Sequence, residues 1–301
     1  MSAAMRTWAA SSLFVLAAAL AGCGGDDVVV EQAPTARERG VAPAAGGTVA
    51  RDPLRDGADR PRLTIIVDDT RDGKPRYRAP RSVSGGLVEI RLRNVGEAPR
   101  KAQLWRIDAE HTVEAALRVG RQLPDWLRTA GGVSLTEPGA TGTTLQALSA
   151  GRYFVASTRG EPGTVAEFEV TSPRKAPEPP RAPARVEALD FSFRVSGLKP
   201  GRNSVDFDNT GREPHHAYFT PMRAGTDLAE VRRFFGSRTS TGPLPVDSEV
   251  VRETVVLEGG DRQVAQLSFA PGRYAVICFV RGRRGGPRHL ELGMINEVTV
   301  R

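Results

Sequence analysis

Cysteine and histidine are scarce in this chain, and several common catalytic motifs are missing. The 301 residues include two cysteines and four histidines. Two cysteines cannot build the disulfide framework of a small secreted scaffold. The sequence contains no serine-hydrolase elbow, Walker phosphate loop, zinc-knuckle spacing or dinucleotide fingerprint. These absences argue against a serine hydrolase, a nucleotide-binding enzyme and a zinc-finger protein.

Aromatic residues are also few, whereas glycine, proline and arginine are plentiful. The chain is 6% aromatic and has 32 glycines and 22 prolines, which favours short strands joined by turns. Its formal net charge is +7. Because no basic run is interleaved with aromatic residues, this charge gives little support for nucleic-acid binding. It reflects either an arginine-rich coding bias or a basic face for an anionic membrane or an acidic partner.

The N-terminus resembles a bacterial lipoprotein signal. Arg6 precedes an apolar stretch, residues 8–20, that is too short to span a bilayer comfortably. The stretch runs into Leu20-Ala21-Gly22-Cys23, which resembles the lipobox whose cysteine is acylated after cleavage. Two or more acyl chains anchor a protein stably. We therefore predict a signal peptide at residues 1–22 and a lipid on Cys23, which would hold the protein on the extracytoplasmic face of the cell membrane. An ordinary signal peptide with an incidental cysteine is the alternative.

Cys278 is the remaining cysteine once Cys23 carries lipid. In an oxidising compartment it then has no disulfide partner. Such a thiol is either buried and inert or a metal ligand.

Two segments without apolar periodicity divide the chain. Residues 23–60 are rich in Gly, Ala, Pro, Asp and Arg and read as a flexible tether. Residues 173–184 are dense in proline and read as a semi-rigid spacer. These segments leave two predicted domains, at residues 61–172 and 185–301.

Each predicted domain has the pattern of a small β-sandwich. Residues 88–93 and 205–208 alternate apolar and charged side chains, as half-buried strands do. Short strands with turn residues between them predict an all-β fold. Each domain has one helical candidate, at residues 111–128 in the first and starting near Thr226 in the second.

The two domains contain the same sequence pattern, and the copies differ at chemically important positions. Residues 94–101 match 209–216, residues 151–157 match 272–278, and Gly163-Thr164 matches Gly293-Met294. In this alignment the first copy has Arg100, Ser157 and Thr164 where the second has His215, Cys278 and Met294.

The second copy therefore combines the donor groups of a type 1 copper site, with His289 between Cys278 and Met294. Copper(I) and copper(II) prefer different geometries, and two imidazoles, one thiolate and a weak thioether suit both. Taken singly, the cysteine and the methionine are ordinary core residues, and His289 is an ordinary loop histidine. His216 is an alternative to its neighbour His215. The ordered set of four favours copper.

Residues 185–301 resemble the cupredoxin superfamily, which includes plastocyanin, azurin and the blue-copper domain of nitrite reductases. The resemblance rests on Asn209, Gly211 and Pro214-His215, on residues 271–278, and on His289 with Gly293-Met294. It implies two tandem cupredoxin-like Greek-key β-sandwiches, each with one short helix and the first degenerate. It also implies one type 1 copper ion held by His215, Cys278, His289 and Met294, and an electron-transfer role.

Two other functions are alternatives for such a chain. One is a metal-free structural or interaction module built from tandem cupredoxin-like domains. The other is a multicopper enzyme. Because the chain has only four histidines and no His-x-His pair, too few for a trinuclear cluster, the sequence predicts that the protein is not an enzyme.

The candidate copper domain departs from the family pattern in two places. The loop between Cys278 and His289 is long and rich in glycine and arginine. Its charge predicts an acidic redox partner and leaves His289 less firmly held. In the family, a small polar residue after the upstream histidine often ties the ligand loops together. This chain has His216 there, so that role is expected to be absent or altered.

Overall fold

The computed structural model describes residues 52–56, 59–157, 165–172, 177–237 and 240–301. The predicted signal peptide, Cys23 and most of the predicted tether lie outside these residues. Those that are described fall within one compact unit, Gly47–Arg301. No helix in this described part of the chain has the length and apolarity needed to cross a membrane.

The first repeat contains nine strands and one helix among its described residues. The strands are β1 (Arg62–Asp69), β2 (Pro75–Arg78), β3 (Ser82–Ser84), β4 (Gly86–Asn94), β5 (Arg100–Ile107), β6 (Leu127–Thr136), β7 (Thr141–Leu148), β8 (Gly151–Ala156) and β9 (Ala166–Thr171). The helix α1 spans Val113–Arg118.

The second repeat contains ten strands and two helices in the part that the structure describes. The strands are β10 (Ala184–Leu189), β11 (Ser192–Ser196), β12 (Gly201–Asn209), β13 (Tyr218–Pro221), β14 (Arg252–Glu253), β15 (Arg262–Phe269), β16 (Gly272–Ile277), β17 (Arg281–Gly282), β18 (Gly285–Arg288) and β19 (Ile295–Val300). The α-helix α2 spans Leu228–Gly236, and a short 3-10 helix spans His289–Leu292.

These strands form two sandwiches that share one sheet, which confirms the all-β prediction. The shared sheet has the order β11-β10-β12-β15-β7-β4-β1-β2. Its β7-to-β2 half faces a five-stranded sheet, β3-β9-β8-β5-β6, in the first repeat. Its other half faces a four-stranded sheet, β14-β13-β16-β19, in the second repeat. Each sandwich encloses its own apolar core.

Strand alternation explains why the shared sheet buries one face. In β4, Val88, Ile90 and Leu92 are fully buried, whereas the charged residues between them are not. Side chains alternate across a strand, so one face of the sheet is apolar and the other polar. The sequence pattern at residues 88–93 therefore predicts the buried face correctly.

The two repeats are joined by backbone hydrogen bonds between their strands as well as by the covalent chain. Strand β15 of the second repeat pairs antiparallel with β7 of the first, with Val264 opposite Leu145. The sequence offered no sign of this junction, because strand pairing between repeats depends on how the sandwiches meet. The domain limits at residues 61–172 and 185–301 stay a prediction.

One helix prediction is confirmed and the other is too long. In the second repeat, α2 begins after Asp227, whose side chain accepts the Glu230 N–H as an N-cap. In the first repeat, the predicted helix at residues 111–128 ends at Arg118. Gly120 and Pro124 follow, and both disfavour a helix. Leu127 instead begins strand β6.

Candidate metal centre

Three donor atoms from distant parts of the second repeat meet at one point. The Cys278 Sγ atom lies 3.7 Å from His215 Nδ1 and 3.5 Å from His289 Nδ1. The two Nδ1 atoms lie 2.9 Å apart. All three side chains are at most 1% exposed. Among the described residues, no other group of three Cys, His, Asp or Glu side chains has the geometry to hold a metal ion.

The size of this triangle fits a metal ion. A point equidistant from the three atoms lies about 2 Å from each, close to the metal–nitrogen and metal–sulfur bond lengths of protein sites. One thiolate and two imidazoles are the in-plane donors of a type 1 copper centre. The donor set and its spacing therefore both fit copper.

His215 is brought to this point by a turn that both repeats share. The Asn209 amide group donates to the backbone oxygens of Glu213 and Leu257, at 2.9 and 3.0 Å. Its side-chain oxygen accepts the Gly211 N–H. In the first repeat, Asn94 makes the corresponding bonds to Ala98 and Thr136. The asparagine of the repeated sequence is therefore a turn residue, and the histidine six positions later, His215, is a separate feature.

A carboxylate orients the His215 ring. Asp190 Oδ1 lies 3.3 Å from His215 Nε2. When Nε2–H donates to this oxygen, the Nδ1 lone pair faces Cys278, which is the tautomer that a metal requires. Although burial works against its charge, backbone N–H groups of Arg212 and Glu213 hold the pKa of Asp190 below its ordinary value. Sequence reasoning missed Asp190 as a site residue.

The first repeat shows that this carboxylate belongs to the shared framework. Asp69 accepts the Glu97 N–H at 2.6 Å and the Arg100 guanidinium at 3.0 Å. Arg100 thus occupies the place of His215 and contacts the matching aspartate. The signal that could have identified Asp190 was this fourth correspondence between the repeats, Asp69 with Asp190. Thr164, the counterpart of Met294, lies outside the described residues.

Backbone hydrogen bonds hold Cys278, His289 and Met294 together. The Cys278 N–H donates to Met294 O at 3.2 Å, and the Met294 N–H donates to His289 O at 3.0 Å. The Leu290 N–H donates to Cys278 O at 2.9 Å. Gly293 ends the 3-10 helix with φ 95°, a conformation that favours glycine. The Met294 side chain is fully buried in the same apolar cluster as Cys278.

His216 has a supporting position beside the three converging donors. Its Nε2 atom accepts the backbone N–H of Phe279 at 3.0 Å, so it ties the His215 turn to the residue after Cys278. The small polar residue expected here is therefore replaced by a buried imidazole that makes the tie itself. The structure also decides between neighbouring histidines, because His215 and not His216 faces the thiol.

Burial keeps every donor group in its neutral form. Desolvation raises the pKa of the Cys278 thiol to about 12, against the weaker opposite effect of backbone N–H groups from His216 and Val280. It lowers the pKa of His289 to about 4 and of His216 to about 3. Desolvation also lowers the pKa of His215. A metal that binds here must therefore displace a thiol proton but no imidazolium proton.

Phe191 shields His289 from solvent. Its ring meets the His289 ring edge-on, with centroids 5.1 Å apart. The His289 Nε2 atom is buried and has no hydrogen-bond partner. Phe191 has φ 67°, the only positive value at a non-glycine residue in the part of the chain that the structure describes. A positive φ costs about 1–2 kcal/mol for an L-residue. The surrounding turn therefore keeps Phe191 over the His289 ring in a strained backbone conformation.

The long loop between Cys278 and His289 is an ordered hairpin. Strands β17 and β18 pair within it, and three of its arginines are engaged inside the chain. Arg281 donates to Gly286 O, Arg283 pairs with Glu258, and Arg288 pairs with Glu291. The expectation that this loop holds His289 loosely is therefore wrong.

Comparison with known proteins finds likeness in structure only. No family model matches the chain, and no curated protein does. The solved structures include auracyanin from Roseiflexus castenholzii, which is 21% identical to this chain. The alignment covers 39% of this chain and 94% of the auracyanin chain, with a TM-score of 0.26. A multicopper oxidase is 14% identical. Its alignment covers 80% of this chain and 88% of the oxidase chain, with a TM-score of 0.21. A copper-containing nitrite reductase from Thermus scotoductus is 12% identical. Its alignment covers 80% of this chain and 61% of the reductase chain, with a TM-score of 0.19.

The buried site of this chain has the in-plane donor types of a type 1 copper centre, one cysteine and two histidines.

The prediction that the protein is not an enzyme is corrected by these neighbours. The multicopper oxidase and the nitrite reductase in this comparison are enzymes, and each aligns with 80% of the chain. The cupredoxin fold is found in enzymes and in non-enzymes, and a count of histidines in one chain does not separate the two groups.

The neutral histidines predict a loss of stability in acid. A histidine whose folded-state pKa lies below 6.5 favours folding above pH 6.5, and this contribution falls as pH drops toward the folded-state value. His216→Gln keeps an acceptor for the Phe279 N–H. It removes one imidazole that would take up a proton when the protein unfolds in acid. Between pH 6 and 4.5, we expect the variant's unfolding free energy to fall less steeply, by about 1.4 kcal/mol per pH unit. Denaturant unfolding of the metal-free protein measures this, and equal slopes would contradict it.

Proposed function

We propose that this protein is a membrane-anchored, extracytoplasmic cupredoxin-like protein that binds one copper ion and transfers single electrons. One observation carries the proposal: the Sγ atom of Cys278 and the Nδ1 atoms of His215 and His289 converge in a fully buried triangle. We assign these three residues and Met294 as the ligands.

The ligand types favour copper over zinc. A structural zinc site has four strong thiolate or imidazole ligands. In the part of the chain that the structure describes, three such donors converge, and the fourth candidate, Met294, offers a thioether, which suits copper(I). When bound, copper supplies the one-electron redox chemistry.

The chain's own residues prepare the site and keep water out. Asp190 fixes the tautomer of His215, and His216 holds the backbone beside Cys278. Phe191 covers His289. A site that is held in place before a ligand arrives loses less free energy to ordering when it binds. These contacts therefore favour a metal centre that changes little between oxidation states.

Copper titration tests this assignment. Addition of copper(II) to the mature protein should give an intense visible band from a thiolate–copper(II) bond. Cys278→Ser should abolish the band, because serine provides no thiolate. His216→Gln should retain it, because this residue supports the site without contacting Cys278 Sγ.

The alternative function makes the opposite prediction in the same titration. If neither the wild type nor the variants bind copper, the tandem sandwiches act as a metal-free structural or interaction module. Binding without the visible band would also contradict a cysteine-ligated type 1 centre.

Membrane attachment through Cys23 is part of the proposal and rests on the lipobox-like sequence. In a bacterium that processes lipoproteins, the wild type should fractionate with membranes and require detergent for release. Cys23→Ser should move the protein to the soluble extracytoplasmic fraction, because acyl chains provide the anchorage. If both forms stay on the membrane, the anchor lies elsewhere.

We further propose an acidic redox partner that docks beside His289. Leu292, at the end of the 3-10 helix, is 44% exposed. Arg212 is exposed next to the Asp190 turn that carries Phe191. An exposed leucine three positions after His289 and an exposed arginine three positions before His215 suit a partner with acidic side chains around its own redox group.

Small redox probes test this charge preference. Oxidation of the copper(I) protein by anionic ferricyanide should slow as ionic strength rises, whereas oxidation by a cationic cobalt(III) complex should accelerate. Arg212→Glu should weaken both trends, because it reverses an exposed charge on the turn that leads to His215. The same salt dependence for both probes would contradict an acidic partner at this surface.

A further inference from the structure

The hairpin that connects Cys278 to His289 is attached to the first repeat at its tip. Its two-residue turn, Arg283-Arg284, lies between paired Gly282 and Gly285. The turn therefore lies at the far end of the hairpin from the two ligands. Restraint at the tip restrains both ends, because paired strands move together.

The Arg283 side chain joins the hairpin to both repeats. Its Nη2 atom donates to the backbone oxygens of Pro124 and Leu127 in the first repeat, at 2.7 and 3.1 Å. Its Nη1 atom donates to Glu258 Oε1 at 2.8 Å. The planar guanidinium group reaches all three acceptors at once. The ammonium group of a lysine is a compact charge centred on one nitrogen and is less suited to acceptors so far apart.

The backbone of Arg283 is engaged as well. Its N–H donates to Glu213 Oε2 at 2.7 Å, and its carbonyl accepts the Leu123 N–H of the first repeat at 2.7 Å. Glu213 lies two residues before His215, so one residue connects the turn of one ligand, the loop of another and the first repeat.

Glu258 completes this connection from the other side. It is 2% exposed, and its Oε2 atom accepts the backbone N–H of Thr129 in the first repeat at 3.1 Å. A buried carboxylate needs a charged partner and several hydrogen bonds to offset its desolvation. Arg283 supplies the charge at 2.8 Å, and the first repeat supplies part of the hydrogen bonding.

We infer that the first repeat serves as a platform that holds the ligand hairpin closed, and that Arg283 is the positioning residue through which it acts. In this repeat Arg100 and Ser157 take the places of His215 and Cys278, so its part in the site is mechanical. The role in copper binding rests on the proposed function above, whereas the restraint on the hairpin does not.

Amide hydrogen exchange of the metal-free, full-length protein tests the restraint directly. Arg283→Met removes the three side-chain bonds. Arg283→Lys keeps a charge near Glu258 but cannot reach both carbonyls. Loss of hydrogen bonds to a charged group makes opening of the hairpin easier, so exchange in residues 279–290 should speed up by about tenfold or more in Arg283→Met. We expect an intermediate increase in Arg283→Lys and no change in strands β1 and β4.

Arg284→Met is the matched control, because Arg284 adjoins Arg283 and is exposed. It should leave exchange in the hairpin unchanged. Equal exchange in the Arg283 and Arg284 variants would overturn the platform role. If Arg283→Met does not fold, Arg283→Lys and the Arg284 control still decide the question.

Copper release separates the two proposals. If the wild type shows the thiolate band, copper loss to a chelator should be about tenfold faster or more in Arg283→Met than in Arg284→Met. Equal rates would overturn the role of the platform in copper binding and leave the proposed function intact. If the wild type shows no band, the proposed function fails, and hydrogen exchange alone decides whether the first repeat restrains the hairpin.

Discussion

The enclosure of one thiol and two imidazoles in an apolar core is the constraint on which the rest of this structure depends. Each group would be hydrated in the unfolded chain, and burial favours its neutral form. At His215 this effect of burial on the pKa exceeds the opposite effect of the Asp190 carboxylate. The pKa of Cys278 rises to about 12 and that of His289 falls to about 4 for this reason. A metal ion held by His215, Cys278 and His289 would offset this cost by taking the place of the thiol proton. The metal centre and the stability of the core are therefore linked through the same atoms.

The surrounding residues hold these groups at bonding distance from a common point. Asp190 orients one imidazole, and His216 ties the backbone beside the thiol. Phe191 covers the other imidazole from a strained backbone conformation. Strained conformations persist where the neighbouring structure determines them strongly, and they occur often at functional sites.

Comparison of the two repeats separates scaffold from chemistry. Asn94 and Asn209 form the same turn, and Asp69 and Asp190 accept hydrogen bonds in the same place. What differs is the side chain presented to the aspartate, a guanidinium in the first repeat and an imidazole in the second. The repeats also depend on each other, because β7 and β15 share a sheet and Arg283 crosses between them. The chain is two copies of one fold joined into a single structural unit.

The sequence by itself determined the all-β class, the two sandwiches, helix α2 and the donor types, because these follow from local periodicity and from the order of His, Cys, His and Met. It overestimated helix α1, since apolar spacing at residues 111–128 continued past Gly120 and Pro124. Only the tertiary structure decided that His215 and not its neighbour faces Cys278, that Asp190 supports the ring, and that a loop rich in arginine is held by Glu258 and the first repeat. These are contacts between residues far apart in the chain, and their geometry depends on how the sheets stack, which local sequence patterns do not encode.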